Sequence, residues 1–292
     1  MELQELVSVT VKTLNDLCPE LQVKVYKGVE GVSVREIHQK SCKELGLKQS
    51  SLPYFALFYE KHGKLKKRLK TSDYFPSISC DLWLRKWCFD VKTEKILLTD
   101  GAACELLHKE AVFLLNKGYL EPSQEQRHQL DEYSDDRFKC KEKFVLLCHS
   151  IKDYFSVHVE ECLFLKNEVE SKGSITVDTS YLKIATGHVI TYYPWFCVKQ
   201  WTNNLPAKKI IFLYVDGEIS EQTVTIETEQ AEYLSDAINQ FLKEIQKEET
   251  NAPKFYSEMV STTDEGTRSY QNPFFDLEQV LNYYKCQPED AT

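Results

Sequence analysis

The spacing of apolar residues changes period twice along this chain, and that limits the folds open to it. Val7, Val9 and Val11 alternate with polar residues, and so do Leu21, Val23 and Val25 after a turn over residues 15–20. Successive side chains of a strand point to opposite faces, so two such runs across a short turn read as a β-hairpin. Ser33 and Glu36 then have the spacing of a capping box. Ile37 and Leu45 share one helical face, and Gly46 supplies a left-handed stop. Further strands are expected over 54–59 and 82–87. From Lys95 the period is helical: Leu106, Leu107, Ala111, Leu114 and Leu115 lie in one helix that ends at Gly118. Ser123 with Gln126 opens a second helix, and residues 136–149 form a third. From Tyr154 the period returns to two. Segments 157–165, 174–178, 181–185, 188–192, 195–201, 209–215 and 223–226 read as strands. A single helix over 227–246 closes the run, with Leu234, Ile238, Phe241 and Ile245 in a stripe.

At about 150 residues per domain, a chain of 292 holds two domains or three small ones. The expected class is α+β in three lobes. Residues 1–91 read as a ubiquitin-like β-grasp and 92–152 as a helical bundle. Residues 153–248 read as a β-sandwich with a C-terminal helix, of the pleckstrin-homology or phosphotyrosine-binding (PH/PTB) kind. Residues 249–292 are polar and mildly acidic, and they are expected to form a flexible tail with one ordered piece near its end. Lys plus Arg is 36 and Asp plus Glu is 45, a net charge of −9, which argues against nucleic acid as a partner. No apolar stretch is long enough to span a bilayer. No basic segment followed by an apolar core opens the chain, so no signal peptide is expected. The ten cysteines contain no CxxC pair and mostly sit in apolar runs such as Val145-Leu146-Leu147-Cys148, where a thiol acts as a small hydrophobe. A reducing cytosol is the expected compartment.

Short phrases then point to one family. They are Tyr54-Phe55-Ala56-Leu57-Phe58, Leu84-Arg85-Lys86-Trp87, Glu94-Lys95-Ile96-Leu97-Leu98-Thr99-Asp100, Asn116-Lys117-Gly118-Tyr119-Leu120, the Trp201 strand, and Glu229-Gln230-Ala231 opening the last helix. In this order and spacing, over roughly residues 5 to 248, the chain resembles the FERM domain. Its wording is similar to the FERM modules of the PX–FERM sorting nexins, which are endosomal recycling adaptors. In that family a phosphoinositide-binding PX domain precedes the FERM module; none precedes the first lobe in this sequence, which puts PX-type lipid recognition in question and leaves three readings open, a fragment, an isoform or a stand-alone FERM protein. The resemblance implies a protein without enzymatic activity or cofactor, cytoplasmic and peripheral on endosomal or plasma membranes. It implies that the third lobe binds NPxY- or NPxF-type tails of transmembrane proteins by β-augmentation. The edge strand would be Val198, Lys199, Gln200, Trp201 and Thr202, with Trp201 packing on the peptide and Ile238 and Leu242 forming the opposite wall. A second reading of the same residues stands beside it: Trp201 as a core residue and Leu242 as part of the helix seam.

The tail itself carries Tyr270-Gln271-Asn272-Pro273-Phe274-Phe275, a ligand of the same kind, specified by Tyr270, Asn272, Pro273 and Phe275. Three readings are open: it folds back onto its own groove, it recruits a second adaptor, or the match is chance. Leu277, Val280, Leu281 and Tyr284 beyond it share a helical face with Asp276 as a cap, which suggests a docking helix or a weakly helical tail. Lys64, Lys66, Lys67, Arg68 and Lys70 form a dense basic run, either a contact for anionic lipid or a solvated strand edge whose lysines deter pairing. Phosphate-loop, dinucleotide, nucleophile-elbow and zinc-helix motifs do not occur in the sequence. Cys104 and His108 are four apart on a helix but lack a second pair at ligand spacing, so no metal is expected. The rival readings are a membrane–cytoskeleton linker and a regulatory module of a larger signalling enzyme.

Overall fold

The first hairpin forms where the alternating valines place it. Strands β1 (Glu5–Lys12) and β2 (Glu20–Gly28) pair antiparallel with Val7 opposite Val25 and Val11 opposite Leu21. The inward set Val7, Val9, Val11, Leu21, Val23 and Val25 is buried. A one-residue slip would expose all six, so the pattern fixes the register. There follow β3 (Gly31–Ser33), helix α1 (Val34–Glu44), β4 (Phe55–Lys61), β5 (Lys64–Arg68), β6 (Tyr74–Phe75) and β7 (Asp81–Lys86). The sheet order is β5-β4-β7-β1-β2-β3-β6, with β1 and β7 parallel, and α1 packs Val34, Ile37 and Cys42 into the core. This is the β-grasp lobe. Gly46 ends the helix at φ +76°, a conformation that side chains with a Cβ rarely adopt. The capping box expected at Ser33 does not form: Ser33 is the N-cap but its side chain makes no cap bond. The Val34 amide donates to the Asp73 carbonyl, fixing the chain entry, and Glu36 pairs with Lys40 at 2.7 Å.

The computed structural model describes residues 5–15, 18–75, 81–134, 137–216, 220–248, 259–262 and 267–285. It divides into two units, Met1–Phe155 and Ser156–Thr292. The rest of the first unit is helical: α2 (Val91–Leu97), α3 (Gly101–Asn116), α4 (Gln124–Tyr133) and α5 (Phe138–Cys148). The Ser123–Gln126 capping box is complete in both directions, at 2.9 and 3.2 Å. Helix α2 shows no period in the sequence because it is too short. It is instead set by Asp90, whose carboxylate accepts from the amides of Lys92 and Thr93. One apolar cluster runs from Val7 to Tyr154 and joins the sheet to the helices. Polar ties cross the same junction. Arg85 on β7 forks onto Glu110 of α3 at 2.8 and 2.6 Å. Lys86 reaches the fully buried Glu94 of α2 at 2.9 Å.

The second unit comprises β8 (Val157–Lys166), β9 (Val169–Val177), β10 (Tyr181–Thr186), β11 (Val189–Pro194), β12 (Val198–Asn204), β13 (Lys209–Val215), β14 (Glu221–Glu227) and α6 (Ala231–Glu248). It continues with β15 (Met259–Thr262), β16 (Thr267–Gln271) and α7 (Leu277–Lys285). Its strands run β11-β10-β9-β8-β14-β13-β12-β16-β15. Helix α6 buries Leu234, Ala237, Ile238, Phe241 and Leu242, which gives the PH/PTB-like plan. The strand expected over 195–201 begins three residues late. After Pro194 the chain makes a 3-10 turn over Trp195–Cys197, held by the Trp195 indole N–H donating to the Asp178 carbonyl at 2.8 Å.

The stretch expected to be a flexible tail supplies two strands and a helix to this lobe. Its average polarity conceals Tyr270, Asn272, Phe275 and Val280, each of which has a partner in the fold. Within the sheet, β8 bulges between Val159 and Cys162, opposite Gly173 on β9. A Cβ on Gly173 would lie 1.9 Å from the Ala185 carbonyl oxygen of β10. Gly173→Ala is therefore expected to cost about 2 kcal/mol or more, read as a shift in the denaturation midpoint; a shift near zero would mean that β10 can yield.

Candidate peptide-binding site

Strand β12 offers one edge to β13 and the other to the tail strand β16. The second pairing is antiparallel: Gln200 opposes Gln271, Trp201 opposes Tyr270, Thr202 opposes Ser269, Asn203 opposes Arg268 and Asn204 opposes Thr267. This is β-augmentation by a segment of the same chain. Strand β15 then pairs on the outer edge of β16. Trp201 is fully buried, and its ring stacks on Tyr270 with centroids 5.3 Å apart and planes 9° from parallel. Trp201 is thus a buried residue whose ring lies against the tail strand. The Asn204 amide also donates to the Thr267 hydroxyl at 3.0 Å.

Asn272 lies at the end of this strand and is 6% exposed. Its backbone N–H donates to the Lys199 carbonyl at 3.1 Å. Its side-chain amide donates to the carbonyls of Trp195 at 2.7 Å and Val198 at 2.6 Å. Its side-chain oxygen accepts from the Phe274 N–H at 3.1 Å, an Asx turn, and its own carbonyl accepts from the Phe275 N–H at 3.3 Å. Only an asparagine offers a short side chain with both a twofold donor and an acceptor here. Pro273 keeps Asn272 extended and asks for no backbone partner at the point where the strand turns away. The Asp276 N–H then donates to the Phe196 carbonyl at 3.1 Å, so the chain stays on the turn that precedes β12.

Phe275 packs on a small cluster of Cys197, Val215, Phe196 and Val280. Asp276 caps α7 through the amides of Glu278 and Gln279 at 2.9 and 3.1 Å, and the bonds from Gln279 and Glu278 hold its carboxyl below the usual range. Tyr283 meets Phe196 edge-on at 5.6 Å. The helix suggested as a docking element is thus itself docked, through Val280 and Tyr283, on its own lobe.

The remaining expected site residues are placed as follows. Val198 is buried, while Gln200 and Thr202 are half-buried on the paired edge strand. Ile238 and Leu242, expected as the opposite wall, are buried at 0% and 2%. The α6 residue that borders the cleft beside Pro273, Phe274 and Phe275 is Ile245. In the sequence Ile245 shares the apolar stripe with core residues, and only the tail's position distinguishes it. The carbonyls of Trp195, Val198 and Lys199 carry no sequence signal at all. Of the basic run, Lys64, Lys66, Lys67 and Arg68 are half-buried on β5, an edge of the first sheet, and Lys70 is exposed just beyond it. Cys104 and His108 are buried, and burial pushes the Cys104 thiol up to about 12. His108 packs edge-on against Phe144, and no cluster of metal-ligating side chains occurs among the described residues.

Comparison with known structures and sequences bears on this arrangement. The chain is similar in fold to the MyTH4-FERM MF2 domain of myosin VII from Dictyostelium discoideum, with a TM-score of 0.56 at 11% identity, over 84% of this chain and 61% of that one. The fold is FERM-like. In sequence the chain is 28% identical to human sorting nexin-31 over 131 residues, 41% of this chain and 29% of that protein. It is 25% identical to mouse sorting nexin-31 over 175 residues, 53% of this chain and 39% of that protein. No family model matches the chain. No helix among the described residues is long and apolar enough to cross a membrane.

Proposed function

We propose that this FERM-like chain is a non-enzymatic adaptor. Its PH/PTB-like lobe takes up short aromatic-x-Asn-Pro-x-Phe/Tyr segments from the cytoplasmic tails of membrane proteins, for endosomal sorting or recycling at a membrane surface. The observation that carries this reading is the seating of the chain's own Tyr270-Gln271-Asn272-Pro273-Phe274-Phe275. That segment adds a strand to β12, stacks its first aromatic on Trp201, satisfies its asparagine on three carbonyls of residues 195–199 and packs its last aromatic on Cys197 and Val215. A groove that meets each specified position of the motif can take the same motif from another chain. The similarity to sorting nexin-31 supports the sorting role.

Ladder bonds contribute roughly 0.5–1.5 kcal/mol each, and three or four with one aromatic stack give a micromolar affinity. The tail competes from a tether, at an effective concentration of about a millimolar for a short linker. In a fluorescence-polarisation titration, residues 1–248 are therefore expected to bind a labelled aromatic-x-Asn-Pro-x-Tyr peptide with micromolar Kd. The full chain is expected to bind it at least about tenfold more weakly. Trp201→Ala in the short form, checked by its melting curve, is expected to abolish binding. If a folded 1–248 fragment bound no such peptide, the adaptor reading would fall.

A further inference from the structure

The third lobe holds more of the tail than a strand and a turn. Directly after Phe275, the Asp276 N–H donates to the Phe196 carbonyl at 3.1 Å, and the Asp276 carbonyl accepts from the Val280 N–H at 3.0 Å, which opens the ladder of α7. The chain thus passes from strand to turn to helix without leaving the lobe. Val280 is 1% exposed. The apolar cluster it completes takes Phe196 and Cys197 from the turn before β12, Val215 from the end of β13 and Phe275 from the motif. Tyr283, three residues further along α7, meets the Phe196 ring edge-on at 5.6 Å. Residues three apart share a helix face, so Val280 and Tyr283 reach the lobe together. Gln279 of the same helix bounds the cleft beside Pro273, Phe274 and Phe275, which holds about 340 Å³.

We infer that the groove reads one element beyond the motif: its ligands are tail segments in which aromatic-x-Asn-Pro-x-Phe/Tyr runs directly into a capped amphipathic helix. That helix carries apolar residues five and eight positions after the last aromatic, where this chain has Val280 and Tyr283. The inference rests on the adaptor reading and narrows its ligand class. Among the described residues, the cluster over Cys197 and Val215 is closed by Phe275 and Val280. A ligand that stops at its last aromatic leaves part of this apolar patch in water, whereas one that continues as a helix covers it. A helix as short as the nine residues of α7 is marginal by itself, so its first turn needs a cap. Asp276 supplies one, accepting from the Glu278 and Gln279 amides at 2.9 and 3.1 Å. A ligand of this class therefore has Asp, Asn, Ser or Thr immediately after the last aromatic. Segments with the motif but without the capped continuation compete poorly against the chain's own tail, which has both.

The test uses the full chain with its own tail disabled by Tyr270→Ala/Asn272→Asp/Val280→Asp. Fast amide exchange at Ser269 and Leu281 verifies that the tail has left, and a melting curve verifies that the lobe is folded. Two labelled peptides of the natural sequence are titrated by fluorescence polarisation: residues 267–275, which end with the motif, and residues 267–285, which continue through α7. The longer peptide is expected to bind at least about tenfold more tightly, from the burial of one valine and one aromatic edge less the cost of ordering the helix. Val280→Asp in that peptide should cancel the gain. Asn282→Pro should do the same, because it breaks the helix at an exposed position and leaves both contact side chains in place. Phe196→Ala in the protein and Tyr283→Ala in the peptide should together weaken binding about threefold less than the product of their separate effects. If the two natural peptides bind within about twofold of each other, or if either altered peptide matches its parent, the helix is not read and this inference is overturned while the adaptor reading stands. If neither natural peptide binds, the adaptor reading falls and takes this one with it.

Discussion

Asn272→Asp is expected to free the tail from β12. The substitution keeps the shape of the side chain and the acceptor for the Phe274 amide, but it removes both donors. It sets a carboxylate against the carbonyl oxygens of Trp195 and Val198, which now accept at 2.7 and 2.6 Å. At a site 6% exposed, the charge has little water to turn to. Two lost hydrogen bonds and one buried, repelled charge should together cost about 3 kcal/mol, roughly a hundredfold in the docking equilibrium. Two readouts should move together: amide exchange at Ser269 and Tyr270 should accelerate, and an added motif peptide should bind the intact chain much more tightly. Asn272→Asp with unchanged exchange would mean that Tyr270 and Phe275 hold the tail without the asparagine.

The second large effect is expected in the first unit. Glu94 is fully buried. Lys86 lies 2.9 Å from Oε2, the Tyr154 hydroxyl donates to Oε1 at 2.5 Å, and His149 Nε2 is 3.4 Å from Oε1. Lys86 also stands over the Tyr154 ring at 4.3 Å. Glu94→Gln removes the charge and leaves the Lys86 ammonium buried without it. The cost of breaking such a pair from one side is about 3–5 kcal/mol. A fall in melting temperature of roughly 6–20 °C would follow for a unit of this size. The double replacement Lys86→Met/Glu94→Leu should recover most of that loss, since it leaves no unpaired charge.

Acid should act at the same place. Burial pushes the Glu94 carboxyl up, but Lys86, His149 and Tyr154 together more than offset this, and its pKa lies below 4.5. The stabilisation is therefore fully present above about 4.5 and is lost as pH falls through the lower folded value. Melting curves of parent and Glu94→Gln should converge below that window. A gap that persists there would assign the loss to packing and not to charge.

The lobes were legible in the sequence because period is a backbone property. Val7 to Val25 alternate, so they can only be half-buried strands, and the stripe from Leu234 to Ile245 can only be an amphipathic helix. What escaped was set by single polar contacts or by distant chain. Helix α2 depends on the Asp90 carboxylate, and the start of β12 on the Trp195 indole reaching Asp178. The tail escaped for a different reason. Composition averages over 249–292, whereas its order rests on four side chains meeting partners some 70 residues away, from Trp201–Tyr270 to Asn272–Trp195. The motif itself was visible as a string of letters. The carbonyls that receive it belong to Trp195, Val198 and Lys199, where any residue would supply the same atom, so no pattern of residue types could have announced them.

The tail and any incoming strand need the same edge of β12, so the two cannot be seated at once. On the proposed adaptor reading, the tether would set a threshold. With a local tail concentration near a millimolar, a micromolar ligand presented sparsely leaves the edge closed, and the same ligand packed densely on a membrane opens it. On that reading the protein would report the crowding of the proposed ligand tails and not merely their presence.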